Sequence, residues 1–449
     1  MVQLPKELLE SLKAIESFDQ EAFEKIHASG EQITSIRTNP NKFSIENLRF
    51  TIENEIPWTR YGVYLAQRPS FTFDPLFHAG CYYVQEASSM FLEQALKQTV
   101  DLSQPIKVLD LCAAPGGKST HMQSLITKDS LLVSNEVIQS RVPVLKDNII
   151  KWGSENVVVT RNDPKDFSRL ENYFDVIVID APCSGSGLFR REPEAIEEWS
   201  VNNVKLCSLR QQRIVADVLP ALKKNGVLIY CTCSYSKQED EDICSWMMEE
   251  FKIQNLKLKI ENKWNIVEAS VGYRFWPDKL KGEGFFLACF RKKDGEEYFT
   301  QKIKNKPEQL NKKEIAVIES WIGKISFQFV RRNDTVHAIP EKLGAHTNFL
   351  SEHLRMMYGG VEIGQIIRDK LIPDHSLAMS NLLNESIPSI RLDHDTAIEY
   401  LKKKEIQIKT SANGWQLVQF EGHNLGWINV LPNRINNYYP KELRILKES

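Results

Sequence analysis

Two cysteines stand in loops built from glycine and serine, each directly after an apolar run: Cys183 in DAPCSGSG (Asp180–Gly187) and Cys233 in YCTCSYS (Tyr230–Ser236). A buried cysteine is ordinarily inert packing, and Cys112, Cys231 and Cys289 are read that way from their surroundings. A thiol in a polar loop at a strand end is placed to attack an electron-poor carbon, because the reactive thiolate needs a polar, open setting. Position alone does not rank Cys183 against Cys233.

A third segment, VLDLCAAPGGKST (Val108–Thr120), reads as strand, turn and helix start. Gly116-Gly117 lets the backbone approach a ligand, and the helix that follows offers free N–H groups. The pattern is neither GxGxxG nor GxxxxGK[ST], which disfavours a pyrophosphate. An adenosine carrying an amino acid fits better. Acids end the neighbouring runs: Asp110, Glu136 in LLVSNEV, Asp163 in NVVVTRND and Asp180 in FDVIVIDAP. Glu136 lies where Rossmann-type folds hold the ribose hydroxyls, and Asp163 is placed to meet the adenine amino group. One such carboxylate alone would be a helix cap or a solvated loop. Four in register along one sheet edge point to a ligand.

The elements that must position these groups are regular between about residues 106 and 291. IKVLDLC, LLVSNEV, NVVVTRND, FDVIVIDAP, GVLIYCTCS and GFFLACF are aliphatic runs with little polar alternation, as strands buried on both faces require. Helical stretches alternate with them: one opening at Gly117, one through RVPVLKDNIIKW, and one through VKLCSLRQQRIVADVLPALKK that Asn225-Gly226 should stop. The fold class is therefore α/β, with a Rossmann-like core built on a doubly wound mixed sheet. Residues 1–30 read as helical. Between Thr34 and Gly80, prolines break short apolar runs into a small mixed unit. Residues 291–315 are charge-dense and apolar-poor, as a linker or exposed hairpin would be. WQLVQF and LGWINV, among Gly414, Gly422 and Gly426, read as a small β-rich barrel. The expected organisation is an N-terminal α/β module (1–100), a catalytic domain (101–293), a linker (294–315), an intermediate unit (316–385) and a terminal β-rich unit (386–449).

Thiol and adenosine together suggest one reaction. Carbon 5 of cytosine is too poor a nucleophile to take a sulfonium methyl directly, but a thiolate added at carbon 6 makes carbon 5 enamine-like. A base must later take the carbon-5 proton so that the thiol can leave. Adenine N6-methylation would call for (N/D)PPY where this chain has DAPC.

At these residues the sequence resembles the RNA cytosine-5 methyltransferases of the Sun/Nop type, and within them the bacterial RsmF-like group that modifies small-subunit ribosomal RNA. The resemblance rests on CAAPGGK (Cys112–Lys118), DAPCSGSGLFRREPEA (Asp180–Ala195), CTCSYSKQEDE (Cys231–Glu241), GCYYVQEASSM (Gly80–Met90) and KGEGFFLACFRK (Lys281–Lys292). It extends more faintly to LGWINVLPNRINNYYPKELRI, which is similar to the PUA-like RNA-binding module of that group. The resemblance implies S-adenosyl-L-methionine as cofactor, Cys233 as the attacking nucleophile, and Cys183 as the cysteine that helps release the product. It implies Lys118 and Asp180 as a pair beside the reactive centre. Cys112, Ala113, Ala114, Pro115, Gly116, Gly117, Lys118, Glu136, Asp163, Asp180 and Arg141 would be the cofactor contacts. One departure is Pro277-Asp278, where the family commonly has Pro-His.

Composition adds exclusions. With 42% hydrophobic and 26% charged residues the chain reads as an ordinary globular enzyme. No run of about 18 apolar residues would span a membrane, and the start is not a signal peptide. The eight cysteines show no paired CxxC spacing, so no metal is expected. Free thiols fit a reducing cytoplasm. Net charge is −2, and residues 291–449 hold 24 Lys+Arg against 20 Asp+Glu, leaving 33 against 39 before them. An RNA surface must then be a local patch; the cations and aromatics of the last segment (Trp427, Arg434, Tyr438, Tyr439, Lys441, Arg444) are candidates. The expected partner is small-subunit ribosomal RNA or an assembling subunit, bound by a monomer. Two other readings stay open: a tRNA cytosine-5 methyltransferase, and a ribosome-assembly factor with a vestigial core.

Overall fold

A computed structural model describes residues 4–296, 308–323, 326–408, 410 and 413–448. Its centre is a ten-stranded sheet: β1 (Lys107–Asp110), β2 (Leu131–Asn135), β3 (Val157–Thr160), β4 (Phe174–Asp180), β5 (Leu222–Thr232), β6 (Ile253–Leu256), β7 (Val267–Glu268), β8 (Tyr273–Phe275), β9 (Phe285–Lys292) and β10 (Met356–Gly359). The order is β7-β8-β9-β5-β4-β1-β2-β3-β10, with β6 beside β9. β1 to β5 run parallel, while β9 lies antiparallel to β5 and β10 antiparallel to β3. The sheet is thus mixed, as expected.

The aliphatic runs serve two cores at once. Val108 and Leu132 face one cluster with Met122, Leu145 and Ile149, whereas Leu109 and Val133 face another with Ile214, Val215 and Met247. Those helical residues come from α1 (Gly117–Gln123), α2 (Val142–Trp152), α3 (Val201–Val218) and α4 (Glu241–Glu250). Strand order reverses between β1 and β4, and such a switch point opens a crevice at the carboxyl ends.

One helix boundary differs from expectation. α3 ends at Val218, because Pro220 has no N–H to continue it. Leu222 already pairs with Phe174, and Asn225-Gly226 falls at the register shift inside β5, with Asn225 at φ +63. The Asn-Gly pair therefore accommodates an irregularity within the strand and does not stop a helix.

The N-terminal module is a four-stranded antiparallel sheet (Thr34–Thr38, Ile52–Glu55, Gly62–Leu65, Tyr82–Val84) preceded by two helices. Three polar side chains of RTNPNK fasten it to the core. Buried Arg37 donates to the Gly117 carbonyl and Thr120 Oγ1 at the start of α1 and lies 4.5 Å from the Trp152 ring centroid. Asn39 donates to the carbonyls of Gly80 and Trp152, and Lys42 to those of Ala79 and Lys151.

After β9, residues 297–307 of the expected linker lie outside the described residues, and Asn311 caps a helix over Lys312–Glu319 with a full capping box. Strands Phe327–Arg332, Thr335–Pro340, Val361–Ile367 and Lys370–Pro373 form a second small sheet, from whose midst β10 departs to complete the central one. The last sheet joins Ser389–Arg391, Gly414–Phe420, His423–Leu431 and Arg434–Asn437. It shares a core with the N-terminal module, Val418, Phe420 and Ile428 clustering with Ile36, Val63 and Leu65. Trp427 and Tyr439 are core residues, while Tyr438, Arg434 and Lys441 are exposed. Among the described residues no helix is long and apolar enough to cross a membrane.

Candidate active site

The turn after β1 is held from several sides. The Ala113 N–H donates to the Asn135 carbonyl, Arg141 Nη2 to that of Ala114 at 2.6 Å, and Asn148 Nδ2 to that of Pro115 at 2.8 Å. Gly116, at φ +114, occupies the left-handed position from which α1 starts, a conformation that favours glycine. Beneath the turn, Asp110 is fully buried and accepts from Ser119 Oγ at 2.6 Å, and its other oxygen has no partner. Burial pushes its carboxyl up to about 7 against the Ser119 bond, and Asp180 adds to the rise.

Glu136, at the end of β2, is 2% exposed. One of its oxygens accepts from the Ile138 N–H at 2.8 Å. The other lies 3.4 Å from Arg141 Nη1 and accepts no hydrogen bond. Such a buried acceptor fits a hydroxyl donor of a bound ligand. Asp163 caps the turn over Pro164–Arg169 through the Lys165 N–H, and its carboxylate, 41% exposed, stands 3.5 Å from Arg213.

Lys118, on the first turn of α1, reaches across to Asp180 at the end of β4, with Nζ 2.8 Å from the carboxylate and 5.3 Å from the Phe285 ring centroid. Burial works against its charge, but Asp180, Cys231 and Asp110 outweigh it and hold the ammonium well above the usual lysine range. The ammonium thus stands on the cavity wall among Asp180, Cys231 and Asp110. Cys183 and Cys233 follow neighbouring parallel strands, and their sulfurs lie 3.2 Å apart. The hydrogen bond to Cys233, then burial, holds the Cys183 thiol well above the usual range.

Glu239 ties the two cysteine loops together. Its buried carboxylate accepts from the Ser184 N–H (2.7 Å), Ser184 Oγ (2.6 Å) and Ser234 Oγ (2.6 Å), the residues next to each cysteine. It lies within CTCSYSKQEDE, yet nothing in its type or spacing foretold this contact. Arg37 and Glu283 were likewise not legible as site residues; an arginine in a polar strand and a glutamate between glycines carry no local signal.

These groups surround one cavity of about 510 Å³. Of the expected site residues, Cys112, Ala113, Ala114, Pro115, Gly117, Lys118, Arg141, Asp180 and Cys233 line it. Gly116, Glu136, Asp163 and Cys183 do not line it. Tyr83, Gln85, Glu86 and Ser89 of the N-terminal module close one side, and Glu283, Gly284 and Phe285 another. Asp278 lies in a separate groove with Trp58 and Trp264, its carboxylate 3.3 Å from Lys279 Nζ. Among the described residues no group of three or more His, Cys, Asp and Glu side chains is arranged to hold a metal.

Three family models match the chain in order: the N-terminal domain of 16S rRNA methyltransferase RsmF over residues 4–87, 16S rRNA methyltransferase RsmB/F over 97–291, and the methyltransferase RsmF PUA domain over 387–445. Ribosomal RNA small subunit methyltransferase F of Aeromonas salmonicida is 29% identical over 441 residues, covering 91% of this chain and 90% of that relative. The protein of that name from Vibrio vulnificus is 28% identical, with 98% of each chain covered. Among solved structures, a methyltransferase homolog protein from Pyrococcus horikoshii has a TM-score of 0.56 at 26% identity, covering 65% of this chain and 96% of its own. NSun6 from the same organism, with SFG, has the same fold, with a TM-score of 0.54 at 20% identity over 65% of this chain and 99% of its own. A switch-point crevice with a glycine turn, flanked in order by these domains, makes the chain a member of the S-adenosylmethionine-dependent 16S rRNA methyltransferase RsmB/F family, with the N-terminal and PUA domains of RsmF.

Proposed function

We propose that the protein methylates carbon 5 of a cytosine in small-subunit ribosomal RNA, with Cys233 as the covalent nucleophile. The observation that carries this reading is a thiol on the cavity wall, Cys233, with the Cys183 sulfur 3.2 Å from it and the Lys118–Asp180 pair on the same wall. The Cys233 thiolate adds to carbon 6, forming a C–S bond and moving the ring π electrons toward carbon 5. S-adenosylmethionine supplies the methyl group that carbon 5 takes. Loss of the carbon-5 proton to a base then re-forms the double bond as the C–S bond breaks. The Cys183 thiol stabilises the departing Cys233 sulfur by hydrogen bonding to it. Lys118 favours thiolate and carboxylate, and Asp180 hydrogen-bonds the base edge.

The cofactor would lie against Cys112–Lys118 and extend along the ends of β1, β2 and β3. Glu136 would hold the ribose hydroxyls, Asp163 the adenine amino group, and Arg141 would brace Glu136 and the turn. Glu136→Ala should weaken S-adenosylmethionine binding about tenfold or more, since a hydrogen bond to a charged group contributes about 1.5–3 kcal/mol. Equal affinity of variant and parent by isothermal titration calorimetry would reduce this acid to a strand end.

The test of the whole reading is transfer of labelled methyl from S-adenosylmethionine to unmodified small-subunit RNA, followed by bisulfite mapping. Label on cytosine carbon 5 is expected. Label on tRNA alone would overturn the substrate, and no label on either would leave a binding factor.

A further inference from the structure

Beside the main cavity, and sharing Val84, Gln85, Glu86, Arg191 and Glu283 with it, is a recess of about 30 Å³. Two carboxylates meet there, and only one is spent. Glu86 accepts from the N–H groups of Ser88, Ser89 and Glu283 at 2.8–2.9 Å. Glu283 has a carboxylate oxygen that is buried and accepts nothing, on a side chain 7% exposed. The nearest cation, Arg190, stays 3.7 Å from it and donates to the carbonyls of Gly282 and Glu31.

A buried acceptor left open beside a substrate cavity is costly unless something donates to it. Burial pushes the Glu283 carboxyl up to about 7 against the pull of Arg190, so near neutral pH a group that can both donate and accept suits it. The recess has room for about one water-sized group, so it takes a hydroxyl and not a base. Arg68 and Arg191, both exposed, line the same recess and suit the phosphates that flank a sugar. Resting on the RNA reading above, we infer that Glu283 accepts a hydrogen bond from a ribose 2′-hydroxyl of the substrate, at the target nucleotide or beside it, and so distinguishes RNA from DNA.

The test uses one RNA fragment that the full-length enzyme methylates, made as all-ribose and with a single 2′-deoxy sugar at the target or at either neighbour. One of the three deoxy substrates should lose about tenfold or more in kcat/KM with the parent enzyme. Glu283→Met removes the acceptor and should bring that ratio to about one. Glu283→Gln keeps a neutral acceptor and should fall between, which decides the matter should the Met variant not fold. Fluorescence anisotropy with the same RNAs gives the ratio even where no methyl is transferred, so failure of the activity and failure of the contact are read apart. A parent indifferent to all three sugars, or variants that keep its ratio, would overturn the assignment.

Discussion

Cys233→Ala abolishes methyl transfer, and Cys183→Ala captures the enzyme on its RNA: these are the two outcomes expected when each is mixed with substrate RNA and S-adenosylmethionine. Without the Cys233 sulfur no adduct forms at carbon 6 and carbon 5 stays unreactive. Turnover should fall by on the order of 10⁴ or more, as when a nucleophile is deleted elsewhere. The Cys183 thiol sits 3.2 Å from that sulfur and, unlike Cys233, does not line the cavity. On the function proposed above it assists departure and does not attack. Its loss should leave the first half of the reaction intact and stall the second, giving a band on a denaturing gel that contains both protein and RNA. Such a band from Cys233→Ala, and not from Cys183→Ala, would exchange the two roles.

The second large effect concerns a residue that touches no substrate. Glu239→Ala leaves three buried donors, the N–H and hydroxyl of Ser184 and the hydroxyl of Ser234, without their acceptor. Unsatisfied buried donors cost about 1–3 kcal/mol each, so a loss of about 3 kcal/mol or more is expected in urea denaturation. The thiol loops lose their shared tether as well, and kcat should drop far more than the affinity for S-adenosylmethionine, because the glycine turn between β1 and α1 is held by Asn135, Arg141 and Asn148 and not by Glu239. Glu239→Gln, with one acceptor oxygen, should recover part of both. A variant as stable and as active as the parent would show that the strands alone fix the sulfurs.

What the sequence disclosed follows from how locally each feature is encoded. β1 to β5 and β9 are legible because strands buried on both faces must be aliphatic throughout, and their order places Asp110 and Asp180 at the switch point. The turn after β1 is legible because Gly116, at φ +114, takes a backbone that favours glycine. The helix end at Val218 is missed because Asn225-Gly226 has two uses, and the register with Phe174 decides between them. Glu239 and Arg37 act over tertiary distance, through serines and carbonyls that many residues could supply. The final segment shows the same limit. Its aromatics split into core and surface (Tyr438) according to partner units that composition does not reveal: Trp427 packs with Ile318, Val336 and Leu377, and Tyr439 joins the cluster that holds Ile36 and Val63. Nor did the periodicity show that Met356–Gly359 belongs to the central sheet. Excising residues 316–449 would therefore cut into that sheet and could not isolate the tail's share of RNA binding.

That borrowed strand also sets a timetable for biosynthesis. β3 emerges from the ribosome roughly two hundred residues ahead of the segment that seals it, on the order of ten to forty seconds at ordinary elongation rates. Throughout that interval its outer edge offers unpaired N–H and C=O groups to any extended chain nearby. A polypeptide stalled or cleaved before residue 356 keeps that edge open permanently, so prematurely ended chains should be recruited to chaperones or aggregates and not accumulate as freelance catalysts. Completion of the enzyme is in this way checked by its own tail, long after Cys183 and Cys233 have been made.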